Sequence, residues 1–208
     1  MTVRFDVDAS GCSESRGPSR LDLYWIPLGA GTPVVHLSGR LFEGISAFLQ
    51  RRPRCDIYHA ALIATTGDGT IAVEMAPIPD RNGRDERGVV AEGAVGFGWL
   101  GGLRIFRYEI RRWKNGVIPD LSDAVASPIV LSEDPDLVAG VLETLPRVPT
   151  PVWGRDELAA GEMWNSNSVV AWTLRCAGVD PDRIPLPDGG RAPGWDAGCR
   201  VAARQSNA

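Results

Sequence analysis

The chain has 208 residues, 44% of them hydrophobic and 23% charged, and a formal net charge of −4. That suffices for one domain with a buried core, and it lacks the basic excess that a nucleic-acid partner demands. No stretch approaches the ~20 apolar residues of a bilayer span, and residues 1–20 lack the apolar segment of a secretory signal, so the expectation is a cytoplasmic protein with no membrane partner.

Residues 1–20 read as a flexible N-terminal segment, 21–203 as a single domain and 204–208 as a flexible tail. Within the domain, residues 21–28 read as a strand that ends in the turn Gly29-Ala30-Gly31. Ser38 precedes Leu41, Phe42, Ile45, Phe48 and Leu49, a helical spacing that stops at Arg51-Arg52-Pro53. Residues 57–65 and 70–76 are β-rich arms around Thr66-Gly67-Asp68-Gly69, a hairpin signal. With those four residues as the loop, Ala61 opposes Glu74 and His59 opposes Ala76. Residues 80–88 are charged and turn-rich. Residues 103–113 alternate, with Phe106, Tyr108 and Ile110 on one face and Arg107, Glu109 and Arg111 on a face expected to meet solvent. Ser132 is expected to cap a helix over 133–145 carrying Leu137, Val138, Val141, Leu142 and Leu145. Pro146, Pro149 and Pro151 impose an extended connector, residues 168–176 read as a buried helix stopped by Ala177-Gly178, and residues 199–203 as a final short strand.

Chemistry concentrates at Trp164-Asn165-Ser166-Asn167-Ser168, where a helix begins. Unpaired N–H groups and partial positive charge at a helix N-terminus stabilise an alkoxide or oxyanion. A hydroxyl nucleophile also needs a base and a group that orients the base. His36 and His59 are the chain's two histidines, and His59 lies in the hairpin with Glu74 on its face at a diagonal of about 7–8 Å. The resulting constellation is Ser166 as nucleophile, with Ser168 as the alternative, His59 as general base and then acid, and Glu74 as orienter. Asn165 and Asn167 are candidate substrate-binding donors, and Trp164 a candidate pocket wall. Asn and Ser are equally the preferred helix caps, so a purely structural role for the same run stands beside the catalytic one.

Cys12, Cys55, Cys176 and Cys199 are scattered and form no CxxC pair, which argues for reduced thiols and against zinc. With two histidines and no ligand spacing, no metal is expected. Cys55 and His59 lie about 13 Å apart along an extended strand, out of contact; Cys12 and Cys199 remain as thiol alternatives. Gly96-Phe97-Gly98-Trp99-Leu100-Gly101 matches GxGxxG but is followed by a strand, so it reads as a bend and no dinucleotide cofactor is expected.

His59 in Tyr58-His59-Ala60-Ala61-Leu62-Ile63, followed by a hairpin and later by Asn165-Ser166-Asn167-Ser168 at a helix start, resembles the circularly permuted papain-like superfamily. That group includes the lecithin:retinol acyltransferases, the PPPDE peptidases and NlpC-type hydrolase relatives, in which a histidine strand precedes an Asn-Cys-Asn type motif. The resemblance covers the element order of residues 21–176. It implies an α+β, papain-like fold with a helix packed on an antiparallel sheet, Ser166 facing His59, and Glu74 in the place of the third polar residue. Ser166 stands where the family has cysteine. Two functions follow: a serine-dependent hydrolase or acyltransferase acting on an amide, peptide or ester, or an inactive papain-like domain that binds a ligand or protein. The expected partner is a small-molecule or peptide substrate; its identity and the oligomeric state are not legible in these residues.

Overall fold

The computed structural model describes residues 18–28, 55–78, 86–95, 107–118 and 120–206. The helix expected at Leu41 to Leu49, the Gly-rich bend at 96–101, His36, Cys12 and most of the N-terminal segment lie outside the described residues.

Six strands form one sheet: β1 (Arg20–Pro27), β2 (Tyr58–Thr66), β3 (Gly69–Pro77), β4 (Val89–Ala94), β5 (Arg107–Lys114) and β6 (Val125–Ser132), in the order β4-β5-β3-β2-β1-β6. Every neighbouring pair is antiparallel. Among the described residues, three α-helices, α1 (Pro135–Thr144), α2 (Ser166–Cys176) and α3 (Trp195–Ser206), complete an α+β arrangement. Among the described residues no helix is long and apolar enough to cross a membrane.

The β2–β3 hairpin closes at Thr66↔Gly69, with Leu62 opposite Val73, which is the register the turn residues imply. Gly69 adopts φ 117°, a conformation that side chains disfavour, so a glycine is required where the second arm begins. β1 lies along the other edge of β2 over its whole length, from Arg20↔Thr65 to Pro27↔Tyr58. β4 and β6 are the edge strands and were not expected from the sequence. β6 carries Pro128 and pairs with β1 through two register shifts, which an edge strand tolerates because its outer donors need no sheet partner.

Strand alternation gives the sheet two faces. Leu21, Leu23 and Trp25 of β1, Tyr58, Ala60, Leu62 and Ala64 of β2, and Tyr108 and Ile110 of β5 join the helices in the main core. Ile26, Ala61 and Ala72 point the other way, where Ile118, Leu121 and Ala124 pack on them. The expectation that Glu109 and Arg111 meet solvent fails on this second face: they are only 1% and 6% exposed. Glu109 accepts from Arg87 Nε at 2.6 Å and from Arg111 Nε at 2.5 Å, while Arg111 Nη1 reaches Glu74, its cross-strand partner, at 2.8 Å. Two guanidiniums and two carboxylates thus neutralise one another inside the protein, the condition under which charge can be buried.

α1 is capped by Asp134, whose side chain accepts from Asp136 N–H, with Pro135 in the first turn; Ser132 accepts from Asp134 N–H one step earlier. The segment 199–203, expected as a strand, is helical, and α3 continues through residues 204–206, expected as tail. Arg204 fixes that last turn by donating to the carbonyls of Leu158 and Ala159. The reason is close packing: a Cβ at Gly198 would lie 2.3 Å from the Ser168 carbonyl oxygen, so α2 and α3 meet backbone to backbone there. Gly198→Ala should therefore destabilise the fold by about 1–3 kcal/mol, the range for overpacking, despite alanine's higher helix propensity. A thermal melt unchanged or raised in this variant would contradict the contact.

Candidate functional site

The N-terminus of α2 is built from its own polar residues. Asn165 is the N-cap: its Oδ1 accepts from Asn167 N–H at 2.9 Å and Ser168 N–H at 3.3 Å, and its Nδ2 donates to the Pro193 carbonyl at 2.8 Å. Ser168 completes a capping box by accepting from Asn165 N–H at 3.1 Å, and it donates to the Gly194 carbonyl at 2.8 Å. Ser168 is fully buried, so its hydroxyl is committed to the cap. Gly194 approaches so closely that a Cβ there would lie 2.5 Å from Asn165 Oδ1.

Asn167 points the other way, into the sheet. β3 pairs with β2 only from Leu62 onward, so the edge of β2 at residues 58–60 lacks a strand neighbour on that side. The Asn167 carboxamide takes the place: Oδ1 accepts from Ala60 N–H at 2.7 Å, and Nδ2 donates to the Tyr58 carbonyl at 3.0 Å and to the Pro193 carbonyl at 2.9 Å. Below it, Tyr58 N–H donates to the Arg191 carbonyl at 2.8 Å and Arg191 N–H to the Asp56 carbonyl at 2.9 Å. The segment before α3 thereby covers the rest of the gap between β2 and β3.

These bonds bring the first turn of α2 to the two residues that flank His59. The imidazole leaves β2 on the second face, with Ile26 as its cross-strand neighbour and Ala61 two residues along. The imidazole and Ser166 make no hydrogen bond to each other, and neither side chain has a hydrogen bond to any other described residue. Ser166 is half-buried and shares its side of α2 with Val169 and Val170 of the main core, each 1% exposed, whereas the imidazole lies on the other face of the sheet. The Ser166 N–H, the first of the helix, has no intrahelical acceptor by construction, whereas the next two amides are held by Asn165.

Glu74 does lie on the face of His59, yet its carboxylate is taken by Arg111. Burial pushes the Glu74 carboxyl above the usual range, and Arg111 opposes this. Burial likewise disfavours charge on Glu109, but hydrogen bonds from Arg87 and Arg111 outweigh it and hold that carboxyl low. His59 is pulled below its ordinary value by burial, with Asp120 acting in the opposite direction. Asp120 was not foreseen as a site residue; no local motif marks it, because it reaches the face of His59 from the turn that follows β5. The side chains of Asn165 and Asn167, expected to meet substrate, are spent on the structure, and Trp164 is a core residue at 2% exposure. Cys199 is buried and its thiol is pushed up to about 11 by burial, the opposite of an activated nucleophile.

A half-buried histidine whose charged form the fold disfavours gives a sign to the pH dependence. As pH falls below about 6.5 the unfolded chain takes up a proton that folded His59 resists, so stability is lost between that value and the lower folded pKa. Glu74, with its raised pKa, acts oppositely, over a window that extends upward from its ordinary carboxylate value. Melting temperature measured from pH 7 to 5 should fall in the wild type and fall less in His59→Asn; equal slopes would show that the imidazole charges freely in the fold.

No protein-family model, curated protein or solved structure matches the chain.

Proposed function

We propose that this chain is a serine-dependent hydrolase or acyltransferase of papain-like arrangement, acting on an amide, peptide or ester, with Ser166 as nucleophile and His59 as base. One observation carries the reading: the Asn167 side chain seats the tip of α2 on the backbone at both sides of His59, at Tyr58 and Ala60, while leaving the Ser166 hydroxyl uncommitted. A cap alone would need Asn165 and Ser168; it would not need a bridge to the histidine strand.

In this mechanism the substrate acyl group is held at the tip of α2. Ser166 Oγ forms a bond to the acyl carbon and its proton passes to His59, which is neutral near pH 7 and so able to accept it. The oxyanion receives the Ser166 N–H at the positive end of the helix. The bond to the leaving nitrogen or oxygen breaks as His59 returns the proton to it, and water or an acceptor hydroxyl or amine then releases the acyl group by the reverse sequence. The two side chains lie on opposite faces of the sheet, so this step requires them to meet at the tip of α2, past the end of the β2–β3 pairing.

A fluorophosphonate probe should label the wild type, and labelling should vanish in Ser166→Ala and fall at least about a hundredfold in His59→Ala. Ser166→Cys should restore reactivity as alkylation by iodoacetamide, since the thiol is the better nucleophile in the same position. A second reading, a non-catalytic domain that binds a ligand or protein, is favoured by the missing Ser166–His59 hydrogen bond. Wild type that takes no label, together with a Ser166→Cys thiol no more reactive than an exposed cysteine, would establish it.

A further inference from the structure

Glu74 is held by Arg111, so a serine–histidine pair here needs its orienting carboxylate from elsewhere. We propose that Asp120 is the positioning residue for His59, holding the imidazole in the orientation that serves Ser166; this rests on the reading of Ser166 and His59 as an acyl-transfer pair.

Placement is the first argument. Asp120 opens the 3-10 turn Leu121–Asp123 that follows β5, and this turn lies on the second face of the sheet. Ile118, before Asp120, and Leu121, after it, pack in one cluster with Ile26 and Ala61. Those two are the residues beside His59 on that face, one across the strand pair and one along the strand. The turn that carries Asp120 is therefore anchored over the imidazole by its own apolar neighbours.

Availability is the second. Asp120 occupies the N-cap position of its turn, where an aspartate ordinarily accepts from a backbone amide, as Asp134 and Asp180 do at theirs. Asp120 makes no such bond. Its carboxylate, half-buried, has no hydrogen bond or ion pair with any other described residue. Among the described charged groups on this face, Glu74, Glu109, Arg87 and Arg111 neutralise one another, Asp22 pairs with Arg20 and Glu92 with Arg107, and Asp123 of the same turn is exposed, whereas Asp120 is half-buried with unused capacity. Its field on His59 is the attractive one that burial has to overcome.

The test compares Asp120→Asn, Asp120→Glu and Glu74→Gln in the full chain, reading the His59 titration by NMR of the imidazole nitrogens and the rate of fluorophosphonate labelling against pH. Asp120→Asn should lower the His59 pKa by about half a unit or more, slow labelling at least about tenfold and move its basic limb to lower pH, with Asp120→Glu recovering part of each. An unchanged His59 titration and labelling rate in Asp120→Asn, or a larger change in Glu74→Gln than in Asp120→Asn, overturns the assignment while leaving the Ser166–His59 reading intact. If the wild type takes no label but Asp120→Asn still lowers the His59 pKa, the contact between the two side chains is upheld and the acyl-transfer reading is the part that fails.

Discussion

Asn167→Ala should destabilise the protein by about 2–6 kcal/mol and abolish fluorophosphonate labelling, a far larger effect than a single surface amide produces. The wild-type side chain satisfies Ala60 N–H and the Tyr58 carbonyl, both buried, and no other described group is placed to replace it. The Pro193 carbonyl keeps the Asn165 amide, so it contributes little to the loss. Two orphaned buried backbone groups at about 1–3 kcal/mol each give the range. Asn167→Asp sharpens the argument because it preserves shape. The carboxylate can still accept from Ala60, but it turns an acceptor toward two carbonyl oxygens, so at pH 7 it should be at least as damaging as alanine. Its native-state pKa must then lie above the unfolded value, and stability should be regained as pH falls and the carboxyl protonates. Urea melts at pH 7 and pH 5 read both effects; an Asn167→Asp variant as stable as wild type at pH 7 would show that the bridge is not formed.

Glu109→Leu should lose about 3–5 kcal/mol, because it removes the buried carboxylate that both Arg87 and Arg111 bind. The double variant Arg87→Met/Glu109→Leu leaves Arg111 and Glu74 as a neutral pair and should be more stable than Glu109→Leu alone, a sign of coupling that independent sites do not give. Chemical denaturation of the wild type, Arg87→Met, Glu109→Leu and the double variant suffices. Additive losses would mean that Arg87 and Glu109 act separately, against the 2.6 Å contact between them.

Local signals carried much of this fold. The loop Thr66-Gly67-Asp68-Gly69 set the hairpin register, and with it the shared face of His59 and Glu74, because turn geometry fixes strand pairing within a few residues. The cap residues marked the start of α2, although the helix begins at Ser166, two residues before the apolar run suggested. Where tertiary packing decides, the sequence was silent or misleading. Gly198 and Cys199 are weak helix formers, and α3 exists because a glycine there lets α2 come close. Alternating charge along Arg107, Glu109 and Arg111 ordinarily marks a wet face, and only the position of Glu74 on the neighbouring strand shows that the charges compensate one another. Ser166 and His59 stand out by residue type in the sequence, whereas Asp120 does not, since its place on the face of His59 depends on how Ile118 and Leu121 dock.

The Asn167 bridge joins residues separated by 107 and 109 positions, and Pro193 closes a further loop onto the same amide. Ordering so long an intervening segment is entropically expensive and is compensated only when the remote partner arrives, so hairpin β2–β3 and each helix can take shape well before this junction does. Competence would then appear as a late kinetic phase, after most secondary structure has formed, and would be the first property surrendered when the molecule breathes.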